Sequence, residues 1–586
     1  MVALSAPSIP MRNTMTSPFK TLLAALAGAL LAGCGGQSGS PETPAALPAE
    51  PPASQFAATA SITQASAARF LGQATFGPTS TDISAVIWRG YDGWLTWQMQ
   101  KPASSLTAVM NQAAATLQPP ATLAQNQFFE AFWQKAVTAD DQLRQRVAYA
   151  LSQIFVVSMV DVQAGGMPRG MAGYHDMLAN NAFGNFRALL QNVALHPVMG
   201  VYLNALHNEK ESGQRVPDQN FAREIMQLFS IGLVQLNQDG TPKLVNGAPV
   251  ETYGDADIVG LSRVFTGWSW AGPDQTANRF YGYSSPTPDP DRDIKPMQMY
   301  PQFHSTLDKS FLGVTIPGGG SGLSDLKIAL DTLFNHPNVG PFIGRQLIQR
   351  LVTSNPSPAY VARVAAAFAD NGSGVRGDMK AVIKAVLLDP EARSDVPTAD
   401  GGKLREPVLR LAHWMRSFNA KSASGRFLMT TTDDPVYTLG QSPLRSPSVF
   451  NFYRPGYTPP NTAIAAAGLV APEFQITGET SVVGYLNLIR DVIQNGAGTN
   501  RDIKADYGAE IALAATPDKL VERINLLLTG GQMSADLKSR IVKSISSLAI
   551  PSPTGSNDAA INSASLSRVQ AAIFLTMASP EYLIQK

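Results

Sequence analysis

Only one cysteine, Cys34, occurs in 586 residues. That scarcity excludes a disulfide framework and leaves core burial to hold the fold, which a chain of this length can do without covalent staples. Charge is scarce too. Asp, Glu, Lys and Arg make up 15% of the chain, 45 basic against 44 acidic residues, so no electrostatic footprint for nucleic acid exists and none is expected as a partner. The apolar run Leu22 to Leu31 is about half the roughly 20 residues that a membrane-spanning helix needs. It reads as the hydrophobic region of a signal peptide. No His-Glu-x-x-His run is present, and Gly318-Gly319-Gly320-Ser321-Gly322 lacks the Gly-Lys-Ser ending of a phosphate-binding loop. Nor can it be written as Gly-x-Ser-x-Gly, so a flexible loop is expected there.

What is present begins with an address. Leu31-Ala32-Gly33-Cys34 follows the apolar run directly, and small residues before a cysteine are what a lipoprotein signal peptidase needs; the Cys34 thiol would take the diacylglycerol. Arg12 and Lys20 supply the positive side, and a start at Met11 or Met15 instead of Met1 would leave the same mature chain. Cleavage before Cys34 would remove those two basic residues and no acid, taking 45 against 44 to 43 against 44, a net charge of about −1 with His neutral. Gly35 stands where an Asp would signal inner-membrane retention, so outer-membrane placement is expected, with the lipid anchor as the membrane contact. From Gly35 to about Gln55 the chain is Gly, Ser, Pro, Ala, Thr and Glu, which reads as a tether with a coil reach on the order of 25 Å. The expected organisation is a signal peptide over 1–33, a lipidated cysteine and tether over 34–60, and one body over 61–586.

Helical periodicity dominates that body. Met379, Val382, Ile383, Val386 and Leu387 fall at helical spacing, as do Leu326, Leu330, Leu333 and Phe334 after a Ser324-Asp325 start signal, and Leu520, Ile524, Leu527 and Leu528. Phe128, Phe129, Phe132 and Trp133 crowd one helix and belong in a core. Between Leu236 and Val250, Asn246-Gly247 separates two short extended runs, the signal of a β-hairpin. Residues 272–322 are rich in Pro, Gly, Asp and Tyr and predict long loops. The fold class expected is mainly α: a large multi-helical body with a small β-hairpin excursion and long loop insertions.

Ala67-Ala68-Arg69-Phe70-Leu71-Gly72-Gln73-Ala74-Thr75-Phe76-Gly77-Pro78 resembles the opening of the domain-of-unknown-function 1800 family. Three later stretches agree in order: Asn220 to Phe229, Asp257-Ile258 through Arg263 to Thr266-Gly267-Trp268, and Leu439-Gly440-Gln441-Ser442-Pro443 with Pro447-Ser448-Val449. The resemblance runs from about residue 66 to the C-terminus. It departs at three places, with Asp218-Gln219-Asn220 for the usual Asn-Glu-Asn, Gln227 for a usual Glu, and His304-Ser305 for a usual His-Asp. The family implies a secreted or cell-surface bacterial protein, often encoded beside a second family similar to alkaline phosphatases and sulfatases, which is the protein partner to expect. It implies no reaction.

On a helix, Asn220, Arg223, Glu224 and Gln227 share one face and Phe221, Ile225, Leu228 and Phe229 another. The polar stripe is either a solvated face, a structural ion pair, or a groove with Glu224 as acid or base and Arg223 as an anion clamp. His304 and Asp308 would share a face if helical, and His207-Asn208-Glu209 and His175-Asp176 are the other histidine sites; none completes a ligand set. Asp289, Asp291 and Asp293 begin like a calcium loop but Ile294 takes the glycine position. Trp268, Trp270, Tyr281 and Tyr283, and later Phe450, Phe452, Tyr453 and Tyr457, could face glycans or fill a core. No metal or cofactor is expected. The first reading is a non-catalytic scaffold or binding protein for an envelope partner or extracellular polymer. The alternative is a hydrolase acting on a polymer through Glu224 and Arg223, with Asn220 and His304 as further site residues.

Overall fold

The computed structural model describes residues 61–285, 287–394 and 400–586, so Cys34, the apolar run and the tether lie outside the described residues. Within that range the body is mainly α, with 25 helices and five two-stranded β pairs. One buried apolar cluster runs from Ala67 to Tyr582. No helix among the described residues is long and apolar enough to cross a membrane.

The helices form where periodicity and capping agree. Helix Met379–Leu388 buries Met379, Val382, Ile383, Val386 and Leu387 completely, and the Asp378 side chain caps it by accepting from the Lys380 N–H. Helix Pro517–Thr529 places proline in its first turn and ends at Gly530, whose φ of +61° is the left-handed conformation that closes a helix. Helix Gly322–Asn335 starts earlier than its Ser324-Asp325 signal implies. Its cap is Ser321, and Asp325 is instead drawn inward to buried partners.

Successive helices pack as neighbours: Val339–Leu351 on Pro358–Ala369, and that helix on Met379–Leu388. Gln125–Thr138 brings its four aromatic side chains into the same core, with Phe132 edge-on to Trp133. The last strand, Ile584–Gln585, pairs antiparallel with Lys403–Leu404, tying the end of the chain to its middle.

The expected hairpin is formed by Leu244–Val245 and Ala248–Pro249. Asn246 and Gly247 turn it with φ of +52° and +81°, the pair of positive values that a tight two-residue hairpin requires. Residues 272–322 are more ordered than expected. Trp268–Ser269 pairs with Gln298–Met299, Lys309–Phe311 pairs with Val314–Ile316, and Ala277–Phe280 forms a short helix. Helix Asp255–Val264 lies against Lys309–Phe311, close enough that a Cβ at Gly260 would run into the Ser310 carbonyl oxygen.

Candidate functional site

Helix Asn220–Gln227 does not present its polar residues as one stripe. Arg223 is exposed, Asn220 and Gln227 are half-buried, and Glu224 is buried with Phe221, Ile225 and Met226. Burial raises the Glu224 carboxyl pKa, with Arg223 pulling the other way, and its Oε2 has no hydrogen-bond partner. Tyr202 and Tyr253 lie within its field; both hydroxyls are pushed up to about 12, first by burial and then by negative neighbours that include Glu224. Glu224 and Arg223 therefore do not face one groove together.

His304 is likewise committed. It follows a short 3-10 turn, Pro301–Phe303, so it never shares a helix face with Asp308. Its partner is Asp325, whose Oδ2 lies 3.1 Å from His304 Nε2 and 2.9 Å from Lys309 Nζ, while Nδ1 lies 2.8 Å from the Thr266 carbonyl oxygen. Both ring nitrogens are engaged by buried partners, so neither is open to substrate or metal. Asp308 accepts from the Gly318 N–H instead, pinning the start of the glycine-rich loop. Ser305 donates to Glu211 Oε1 at 2.7 Å; an Asp there would set two carboxylates against each other.

A wide opening lies next to the loop that contains His207. It is a groove of about 880 Å³, and a second hollow of about 540 Å³ adjoins it, the two sharing Asn204, Leu206 and His207. His207 has a φ of +64°, the left-handed conformation that a non-glycine residue adopts at a cost of about 1–2 kcal/mol. Its ring is hemmed by Trp270, Phe280 and Tyr281. Burial, helped by the charge of Arg292, lowers its pKa to about 4, and Nε2 is buried without a partner. The imidazole is therefore neutral at pH 7, with Nε2 enclosed by the surrounding protein.

Around His207 the acids other than Asp218 are already paired with a cation. Asp291 and Asp293 are held by Arg169 at 2.6 and 3.1 Å, and Asp289 by Lys295 at 2.6 Å. These contacts take the carboxylates that resembled a calcium loop. In the second hollow Arg215 lies 2.6 Å from Glu209, whose other oxygen accepts from the Tyr281 hydroxyl at 3.0 Å. Asp218 is bracketed by the Asn208 side chain, which accepts from its N–H at 2.8 Å and donates to its carbonyl. Arg292 differs from these: it stacks on Trp270 at 4.8 Å and makes no ion pair among the described residues. Trp268 and Trp270 are buried, leaving Tyr283 exposed beside Tyr281. Among the described residues no group of three or more His, Cys, Asp or Glu could hold a metal ion.

A family model described as "Protein of unknown function (DUF1800)" matches residues 69–584. The chain belongs to this family. Neither a curated protein nor a solved structure matches it.

The DUF1800 body also holds a buried charge network that no single stretch of sequence points to. Lys403 Nζ lies 2.9 Å from Glu473 and 3.6 Å from Glu406, all three essentially without solvent access. Glu406 Oε2 accepts from the Tyr149 hydroxyl at 3.1 Å, from Gln441 at 2.9 Å and from Gln153. Burial pushes Glu406 up, but Lys403, Arg146 and those amides outweigh it and hold the carboxyl below its usual value; for Glu473, burial outweighs Lys403 and raises it. Gln441 comes from the Leu439 to Val449 stretch, which gives that stretch a structural task within the DUF1800 body.

Proposed function

We infer that the protein is a non-catalytic binding protein of the cell envelope, which recognises an extracellular polymer in the groove beside His207. The observation that carries this is the pairing of the groove's carboxylates with Arg169 and Lys295. Among the groups that remain to meet a ligand are the Thr122 hydroxyl, the Gln163 and Asn204 amides, the neutral His207 ring and the Arg292 guanidinium. Such a set donates and accepts hydrogen bonds and presents one cation, which suits a hydroxyl-rich or acidic glycan. A hydrolase needs an acid or base that reaches the bond to be cut. Glu224, its best carboxylate by sequence, is buried, and it lines neither of the two hollows beside His207.

Co-sedimentation of the full chain with insoluble envelope polymer tests the reading. Glu224→Gln should bind as the wild type does and neither should release soluble fragments; fragment release by the wild type that Glu224→Gln abolishes would establish the hydrolase instead. Attachment through a lipidated Cys34 belongs to the same proposal and is supported by the residues that precede it. Cys34→Ser should leave the membrane fraction, and its retention there would contradict the anchor.

A further inference from the structure

A separate cleft of about 570 Å³ is lined by helix Val339–Leu351, the end of helix Asn220–Gln227 and the chain from Val449 to Gly456. Its volume falls in the range of small-molecule sites. Its walls are mostly apolar, including Leu228, Leu233, Val234, Phe342 and Val449. Three guanidinium groups line it, Arg345, Arg350 and Arg454, and no Asp or Glu does.

None of the three has a counter-charge among the described residues. Arg350 donates to the Gln153 carbonyl oxygen and lies over the Tyr453 ring, and Arg454 lies over Phe450. Arg345 is open to the cleft, yet the surrounding protein strips enough water from it to lower its pKa, with no acidic neighbour to offset that loss. Two buried donors on the same lining, Gln346 Nε2 and Arg350 Nε, have no acceptor. In a chain whose charges balance 45 to 44, three cations, one of them with an orphaned N–H, and the orphaned Gln346 amide against apolar walls make a site with one complement. Its ligand is negatively charged, accepts hydrogen bonds and carries a hydrocarbon surface.

We propose that this cleft binds a single-chain amphiphile with an anionic head, of the fatty-carboxylate class, the head on the arginines and the chain on the apolar walls. A free inorganic anion would leave those walls wet, and a neutral lipid would leave the guanidinium groups uncompensated. The site is independent of the polymer groove.

Titration calorimetry of the full chain with palmitate, hexadecanol and hexadecyl phosphate tests it. Palmitate should bind saturably at one site, hexadecanol at least tenfold more weakly. The double variant Arg345→Gln/Arg454→Gln should lose at least tenfold in palmitate affinity with an unchanged melting temperature. Leu233→Glu, which places a carboxylate at a half-exposed cleft position, should abolish binding. Hexadecyl phosphate matching palmitate would support recognition of the anionic head as such, and a clear preference for palmitate would support the carboxylate. Equal affinity for palmitate and hexadecanol, undiminished binding by the double variant, or no saturable palmitate binding would each overturn the proposal.

Discussion

Lys403 shows how much of this molecule rests on single buried charges. It lies between Glu473 and Glu406 where all three side chains are cut off from water. Removing one member of such a set leaves the others uncompensated, typically at about 3–5 kcal/mol. Lys403→Met should lower the urea-unfolding free energy by about that amount, and a loss under about 1 kcal/mol would mean the charges are not mutually required. Histidine burial carries a second consequence. His196 and His413 are both held down to about 3 by burial, with nearby Arg405 adding to the effect at His413. The unfolded ring titrates near 6.5, so above that pH both states are neutral and the contribution is level. Between 6.5 and 3 only the unfolded chain takes the proton, and stability falls as pH falls, by about 2 kcal/mol per ring at pH 5. His413 Nε2 donates to the Leu527 carbonyl oxygen at 2.8 Å, a bond that glutamine can reproduce. His413→Gln should therefore lose less stability than the wild type between pH 7 and pH 5; equal losses would contradict the assignment. The raised carboxyls of Glu224 and Glu473 act with the opposite sign, which is why the variant comparison is the cleaner reading.

The elements divide by how local their causes are. Helix Met379–Leu388 was legible because its five apolar positions and its Asp378 cap are all written within eleven residues, and the Asn246-Gly247 hairpin because its turn chemistry is a dipeptide. The hairpin over Lys309–Phe311 and Val314–Ile316 falls in a stretch whose composition predicts loop: its turn places Leu312 at a φ of +48° beside Gly313, and leucine gives no turn signal. The site fared the same way. Glu224, Arg223 and His304 stand out as polar residues in an apolar setting, but the partners of His304 are Thr266 and Asp325, the latter shared with Lys309, all chosen by tertiary packing and not by spacing. Two glycines separate local from tertiary causes. Gly260→Ala must push helix Asp255–Val264 off Lys309–Phe311 and should cost about 1–3 kcal/mol. Gly247→Ala meets no atom within 4 Å, so only its left-handed backbone opposes it, at about 1 kcal/mol. Thermal unfolding of both variants checks the order, and a Gly260 variant as stable as the wild type would contradict the close packing there.

On the scale of the whole molecule, helix Asn220–Gln227 stands between two openings of different chemistry. Its cap residue Gln219 lines the hollow beside His207, and its last residue Gln227 lines the arginine cleft. The helix most prominent in the sequence thus separates two candidate binding sites and keeps Glu224 buried between its ends. The groove beside His207 is proposed to bind a polymer without cutting it. Arg292 decides it, since a charge-assisted hydrogen bond is worth about 1.5–3 kcal/mol, or roughly a 10- to 100-fold change in affinity. The measurement is the affinity of the full chain for soluble envelope polysaccharide, wild type against Arg292→Gln, with the polymer's chain length followed in the same samples. Arg292→Gln should bind at least tenfold more weakly, and neither protein should shorten the polymer. Shortening by the wild type, or equal affinity of the two, would contradict the proposal.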